Sequence, residues 1–306
     1  MSDNKFEFLK ADDSASERIA APNYSYWKSV FKQFFASRVS VFLLICLVVI
    51  FGMSFIHPII SGYDNLYQPF INDKSMHFLR PNSQYWFGTD DVGRNVFDMI
   101  WAGAKTSLFI AIVSTLITTV LGVVVGMFWG FSKRADAIML EIYNVISNIP
   151  FTMIAMILSY ALGTGIWQLI FSLSITSWIS TAYMIRVQVM IIRDREYNMA
   201  SSCLGTPITK VIMHNVLPFL VSIIMTSVSR NVPTIISYEV FLSFLGIGLS
   251  QEEASLGRAV QTSAQYLQSA SYLFVIPLFL AAFISIALYV VGQKLADASD
   301  PKTHMM

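Results

Sequence analysis

The chain has 306 residues, of which 55% are hydrophobic and 13% are charged, and its formal net charge is +1. Soluble domains carry about a quarter charged residues, so the composition excludes an ordinary soluble domain and is typical of a protein that sits in lipid. The net charge favours no nucleic-acid partner, and two isolated cysteines without CxxC spacing indicate neither a disulfide framework nor a metal site.

Six apolar runs are long enough to cross about 30 Å of hydrocarbon as helices. They cover residues 39–60, 104–131, 137–160, 166–190, 217–244 and 271–292. Lysine and arginine are concentrated in the segments that lie on the same side as both termini, and the positive-inside rule therefore places both termini in the cytoplasm. The sequence thus predicts an all-α integral membrane protein with six transmembrane helices.

The same runs divide the chain into tails, loops and a core. Two connections are too long to be turns, one external and one cytoplasmic, and function is expected there first. The predicted parts are a cytoplasmic tail 1–38, a first transmembrane helix 39–60, an external loop 61–103, a five-helix core 104–292 that includes the cytoplasmic segment 191–216, and a cytoplasmic tail 293–306.

The sequence lacks motifs that would indicate ATP hydrolysis or other catalysis by the chain itself. A protein that hydrolyses ATP itself needs the phosphate cradle GxxxxGK[ST], and the nearest stretch, Gly103-Ala104-Lys105-Thr106, has Met99 where the first glycine belongs. Neither an HExxH pattern nor a GxSxG elbow occurs. The sequence therefore gives no argument for an enzyme.

The predicted external loop ends in a charged, turn-forming run, Phe87-Gly-Thr-Asp-Asp-Val-Gly-Arg-Asn-Val-Phe97. Carboxylates and an arginine before an apolar run can pin the loop by ion pairs and cap the next helix. This structural role is favoured over direct contact with a substrate. The motif residues concerned are Gly88, Thr89, Asp90, Asp91, Gly93 and Arg94.

The second predicted span has glycine at every fourth position, at Gly122, Gly126 and Gly130. Residues four apart share one face of a helix. Because glycine has no side chain, this face is predicted to pack closely against another helix.

The cytoplasmic segment 191–216 is predicted to form a helix, a turn and a second helix. Glu196, Ala200 and Cys203 follow helical spacing, Gly205 ends that helix, and another can begin after Pro207. Small residues at 200–203 leave little side chain on one side of the first helix, so another protein can approach closely.

Polar residues within the spans indicate a path or a helix contact. Arg230 lies too deep in the fifth span to reach the cytoplasmic interface easily, and Asn231 and Pro233 beside it indicate an irregular, cavity-facing part of the helix. Glu239 lies nearer the external end and does not share a helix face with Arg230. Arg230, Asn231 and Glu239 are the candidate residues of a translocation path, with packing contacts as the alternative.

Three stretches together resemble the permeases of ATP-binding-cassette (ABC) importers. The run 87–97 is similar to the FGTDxxGRDxF signature of the C-type permease in oligopeptide and dipeptide importers, with Asn95 in place of the second aspartate. The run 239–248 is similar to the family's ExxLSFLGxG, although the Pro-Ser-Trp-Gly that follows it in the family is replaced by the sequence of 254–257.

The third stretch is similar to the family's cytoplasmic motif, which has E-A-A, then glycine, then Leu-Pro at fixed spacings. Met199 replaces the family glutamate and Ser201 replaces the second alanine, so docking by shape is expected more than docking by charge. The resemblance assigns ATPase coupling to Glu196, Ala200, Ser201, Gly205, Leu217 and Pro218.

The resemblance implies a type I ABC importer permease fold that works by alternating access in the cytoplasmic membrane. The implied partners are a second homologous permease, two ABC ATPase subunits, an extracytoplasmic peptide-binding protein and membrane lipid. No cofactor is expected on this chain, because the partner ATPases would use the ATP and Mg. Chain length and the long external loop favour the Gram-positive oligopeptide subtype.

Two alternatives stay open at this point. The same machinery could carry dipeptides or metal chelates, because in this family the binding protein mostly selects the cargo. An ion-coupled secondary transporter would use Arg230 and Glu239 as coupling charges, but no inverted repeat or pair of intramembrane acids is visible in the sequence.

Overall fold

The computed structural model describes residues 26–68 and 70–299. Within these ranges the structure is helical apart from loops and one isolated bridge between Thr89 and Asn95. The helices are α1 (Tyr26–Ala36), α2 (Arg38–Ser61), α3 (Val96–Phe131), α4 (Lys133–Ser147), α5 (Phe151–Leu162), α6 (Ile166–Arg193), α7 (Glu196–Cys203), α8 (Ile208–Val211), α9 (Leu217–Phe244), α10 (Leu256–Ser263) and α11 (Ser271–Ala298).

Helices α2, α3, α6 and α11 and the run from α8 through α9 are each long and apolar enough to cross a membrane. Helices α4 and α5 pass the same test only together, which gives up to six spans in the described ranges. The predicted all-α membrane fold with about six spans is therefore confirmed.

The third predicted span, 137–160, is not one straight helix. Helices α4 and α5 meet at an angle of 84° across a short break. Pro150 is the N-cap of α5. It ends the run of α4 because proline disfavours helical geometry at the preceding residue, Ile149, and has no amide hydrogen to donate back into the helix. The bend directs Phe151 toward α9, where its ring lies 4.2 Å, centroid to centroid, from that of Tyr238.

Helix α3 is central to the bundle, and its contact with α6 is the most extensive among the described helices. The glycines of α3 allow this approach. A Cβ added at Gly122 would lie 2.6 Å from the Thr181 Cβ, and one at Gly126 would lie 2.5 Å from the Ala182 carbonyl oxygen. The predicted close-packing face at Gly122, Gly126 and Gly130 is confirmed.

Helix α1 lies in the segment predicted as the leading tail. Its Val30 and Phe34 are buried and pack against the end of α11 at Leu295 and Ala298. Residues 1–25 of that predicted tail, and residues 300–306 of the predicted tail 293–306, lie outside the described residues.

Candidate functional site

The charged loop motif before α3 forms a cross-linked cap on one end of the bundle. The Arg94 guanidinium donates to the Asp90 carboxylate at 2.7 Å and to the backbone oxygen of Asn65 at 2.6 Å. The Tyr266 hydroxyl donates to Asp91 at 3.0 Å. These contacts bring together three parts of the chain that are far apart in sequence, as the predicted structural role of the motif requires.

The remaining motif residues are buried beneath this cap. The Thr89 hydroxyl donates to the Met76 carbonyl at 2.6 Å and accepts from the Leu79 amide at 2.9 Å. Gly88 has φ +78°, and a Cβ there would clash with the Leu79 carbonyl oxygen. Gly93 is also buried, against Phe70. Only glycine fits the backbone at position 88.

Glu239 is fully buried close to this end of the bundle. Its carboxylate accepts from the Ser107 hydroxyl at 2.7 Å and from the Ser243 hydroxyl at 3.0 Å. The Ser107 oxygen in turn accepts from the Leu256 amide at 3.2 Å, so α3, α9 and α10 meet at one polar cluster. The structure thus separates Glu239 from Arg230, with which the sequence had grouped it as a path residue.

At the opposite end of the bundle, residues 194–216 form the predicted helix, turn and second helix. Helix α7 ends at Cys203, Gly205 turns the chain with φ +76°, and Pro207 precedes α8. A Cβ at Gly205 would meet nothing within 4 Å. The turn therefore faces open space, and its positive φ rather than crowding explains the glycine.

The surface of this turn is apolar and exposed. Leu204 is 86% exposed, Ile208 58% and Met199 52%. Of the residues matched to the family motif, Glu196, Ala200, Gly205 and Pro218 are exposed, whereas Ser201 and Leu217 are half-buried. Large exposed apolar side chains on a short helix and its turn are typical of a surface that another protein covers. We call the exposed residues of 196–208 the docking surface.

Asn198 anchors the docking surface to the bundle. Its side chain is buried and donates to the Ile192 carbonyl of α6 at 2.8 Å, while its oxygen accepts from the Asn215 amide at 3.0 Å. Asn215 belongs to a π-helical turn, Ile212–Val216, which continues directly into α9. One side chain thus joins α6, α7 and the start of α9. No motif or spacing in the sequence singles out Asn198.

The end of α6 adds a second attachment. Arg193 donates to the Gly130 carbonyl near the end of α3 at 2.8 Å and to the Asp194 carboxylate at 2.8 Å. The hydrogen bond from Arg193 holds the pKa of Asp194 below its ordinary value. The Asp194 carboxylate therefore keeps its negative charge at neutral pH, beside the docking surface.

A groove of about 300 Å³ lies between α5, α6 and α9. Arg230 and Asn231, both predicted as path residues, line it together, and the side chain of Arg230 is exposed there. Asn231 donates weakly to the hydroxyl of Thr181 at 3.4 Å. The other lining residues are Phe151, Ser177, Ser180, Thr181, Met184, Ser227, Thr234 and Tyr238.

Two family models match the chain. The model described as "Binding-protein-dependent transport system inner membrane component" matches residues 122–305. The model described as "N-terminal TM domain of oligopeptide transport permease C" matches residues 25–81. Together they cover the first span and the bundle from Gly122 onward.

Several relatives are similar over nearly their whole length. The oligopeptide transport system permease protein AmiD of Streptococcus pneumoniae is 50% identical over 300 residues, which is 98% of this chain and 97% of the relative. The oligopeptide permease OppC of Bacillus subtilis is 32% identical over 304 residues, covering 98% and 97%. The dipeptide permease DppC of the same species is 31% identical over 306 residues, covering 98% and 93%.

Proposed function

The chain belongs to the family of binding-protein-dependent transport system inner membrane components, and on this premise we propose that it is the channel-forming permease subunit of an ABC importer of oligopeptides. It is a multi-pass membrane protein and not an enzyme, and ATP hydrolysis belongs to separate subunits. The resemblance read from the sequence motifs is confirmed. The observation that carries the proposal is the similarity of the whole chain to oligopeptide permeases.

Oligopeptides are favoured over the other cargoes by degree of similarity. The relative at 50% identity is named for oligopeptide transport, whereas the relative named for dipeptide transport is 31% identical. An ion-coupled transporter is not supported, because Glu239 is enclosed by two serine hydroxyls and stands apart from the groove that Arg230 lines.

The partners follow from the family. We propose that the complete importer contains a second homologous permease, two ABC ATPase subunits that use ATP and Mg, and an extracytoplasmic peptide-binding protein. The chain would lie in the cytoplasmic membrane with both termini in the cytoplasm. This orientation places the docking surface on the cytoplasmic side, within reach of an ATPase.

The docking surface supports a mechanical route from the ATPase to the membrane. An ATPase that closes on ATP would move α7, and Asn198 would pass this movement to Asn215 and so to the start of α9. A π-helical turn such as Ile212–Val216 often marks a functional site, and a break in regular hydrogen bonding is a place where a helix can change direction. Helix α9 carries Arg230 and Asn231, so its tilt would open or close the groove.

Uptake measurements test this proposal. Cells with and without the gene are given a labelled oligopeptide or a labelled dipeptide, before and after ATP depletion at a preserved ion gradient. We expect deletion to abolish ATP-dependent uptake of the oligopeptide. Unchanged oligopeptide uptake would refute the cargo, and uptake that follows the ion gradient would refute the ATP-driven mechanism.

A further inference from the structure

Arg230 is a cation in mid-span whose guanidinium has no anionic partner in the described ranges. It lies thirteen residues after Leu217 and fourteen before Phe244, the ends of α9, which corresponds to about 20 Å of helix on either side. None of the ion pairs among residues 26–68 and 70–299 includes it. A charge at this depth is costly unless it faces water, protein or a charged partner.

The groove around Arg230 offers hydrogen bonds but no negative charge. None of its ten lining residues is acidic, and five carry hydroxyl groups on short side chains. The hydroxyl-bearing residues are Ser177, Ser180, Thr181, Ser227 and Thr234. Ser177 and Thr234 donate to backbone carbonyls of their own helices, at 2.6 and 2.7 Å, but every one of these oxygens can accept from a peptide N–H group. The hydroxyls can therefore bind the backbone of a passing chain whatever its side chains are. The rings of Phe151 and Tyr238, tilted by 32° with their centroids 4.2 Å apart, line one side of the groove.

We propose that Arg230 binds the C-terminal carboxylate of the peptide during its passage through the groove, an inference that rests on the proposed function. Guanidinium presents two parallel donors that match a carboxylate, and such charge-assisted pairs are stronger than neutral hydrogen bonds. A free C-terminal carboxylate is common to unmodified peptides of every sequence. Arg230 therefore recognises the peptide class without reading its sequence.

The geometry also explains why this cation is available to a substrate. The nearest acidic candidate on the same helix, Glu239, is held by Ser107 and Ser243 and fully buried. Asp136 and Asp98 are paired with Arg186 and His57. The competing explanation is that a carboxylate of the second permease pairs with Arg230, and the experiment below separates the two.

The test uses the complete importer reconstituted in lipid vesicles, with saturating binding protein and two versions of one uncharged-side-chain peptide. One version has a free C-terminal carboxylate and the other a C-terminal amide. The variants are Arg230→Gln, Arg230→Lys and, as a control for loss of a positive charge, Arg134→Gln on the exposed surface of α4. Binding-protein occupancy is measured for both peptides, so that differences in transport belong to the permease.

We expect the wild type to transport the acid about tenfold faster than the amide, which is the order of effect of one charge-assisted hydrogen bond. Arg230→Gln should lower the acid rate far more than the amide rate, so that the two rates become equal. Arg230→Lys should keep a reduced preference for the acid, and Arg134→Gln should keep the wild-type ratio.

Two results would overturn the inference. The first is equal rates for acid and amide in the wild type. The second is the wild-type ratio of the two rates in Arg230→Gln, either because both rates fall by the same factor, as expected of a contact with the second permease, or because neither falls. Failure of the wild type to move either peptide with ATP would instead overturn the proposed function, and this inference with it.

Discussion

Replacing Asn198 with leucine should loosen the connection between the docking surface and the membrane helices. Leucine has a similar branched shape, but it removes the hydrogen bonds from Asn198 to the Ile192 carbonyl and from Asn215 to Asn198, at 2.8 and 3.0 Å. Each is worth about 1 kcal/mol net, and a buried polar group left without a partner adds about 1–3 kcal/mol. The attached position of α7 should lose about 3–5 kcal/mol, a shift of about 100-fold or more in its equilibrium with detached positions.

The assay for this variant is the number of ATP molecules hydrolysed per peptide transported by the reconstituted importer. We expect that number to rise severalfold in Asn198→Leu, because α7 can move with the ATPase without moving α9. Ser202→Ala is the matched control: its hydroxyl donates only to the Asn198 carbonyl of its own helix, at 2.9 Å. Its loss should leave the ratio near that of the wild type.

Asn215→Leu should act in the same direction, and the double variant should cost less than the sum of the two single ones, since both remove one shared hydrogen bond. An Asn198→Leu importer that assembles normally and hydrolyses the wild-type number of ATP molecules per peptide would refute the idea that Asn198 transmits the movement.

Three further predictions concern single positions. Gly205→Asp should abolish uptake at a normal membrane level, because its side chain meets nothing within the chain and would place a charge where the ATPase docks. Gly205→Asn, which tolerates positive φ equally well but is uncharged, should retain more uptake. Normal uptake by the aspartate variant would contradict the docking proposal. Gly126→Val should lower the free energy of unfolding by about 1–3 kcal/mol through overpacking, since its Cβ would lie 2.5 Å from a backbone oxygen of α6. Thermal unfolding in detergent should show this loss, whereas Gly52→Ala, at a position surrounded by open space, should show none. Glu239→Leu should lower the unfolding temperature because the Ser107 hydroxyl loses its acceptor. Glu239→Gln keeps an acceptor and should restore most of the lost unfolding temperature. Equal unfolding temperatures of the leucine and glutamine variants would contradict a role for this hydrogen bond.

Features with a local cause could be predicted from the sequence. Apolar length gives the spans, and Gly205 with Pro207 gives the turn after α7, because positive φ and a fixed proline φ are properties of single residues. The break between α4 and α5 also had a local signal, since Pro150 lies inside the run predicted as one helix. Apolar length outweighed that signal in the prediction, but the structure follows the proline.

Features that depend on distant residues could not be predicted. Asn198 is one of several polar residues in its segment, and only the fold places Asn215 beside it. Glu239 and Ser107 are 132 positions apart. Depth in the membrane suggested that Glu239 faces a path, but the depth of a residue along a span does not determine which neighbour its side chain meets. That neighbour is set by how α3 and α9 pack.

The enclosure of Glu239 also bears on the order in which the chain can assemble in the membrane. A carboxylate entering the bilayer on an isolated helix costs about 2.5–3.5 kcal/mol at its centre. Ser107 precedes Glu239 in the chain, and Ser243 follows it by four residues on the same helix. One hydroxyl donor is therefore synthesised well before the acid and the other directly after it. Helix α9 can thus enter lipid with α3 already present to receive it. Synthesis of a chain ending shortly after residue 248 should therefore insert α9 stably, and Ser107→Ala should reduce that insertion.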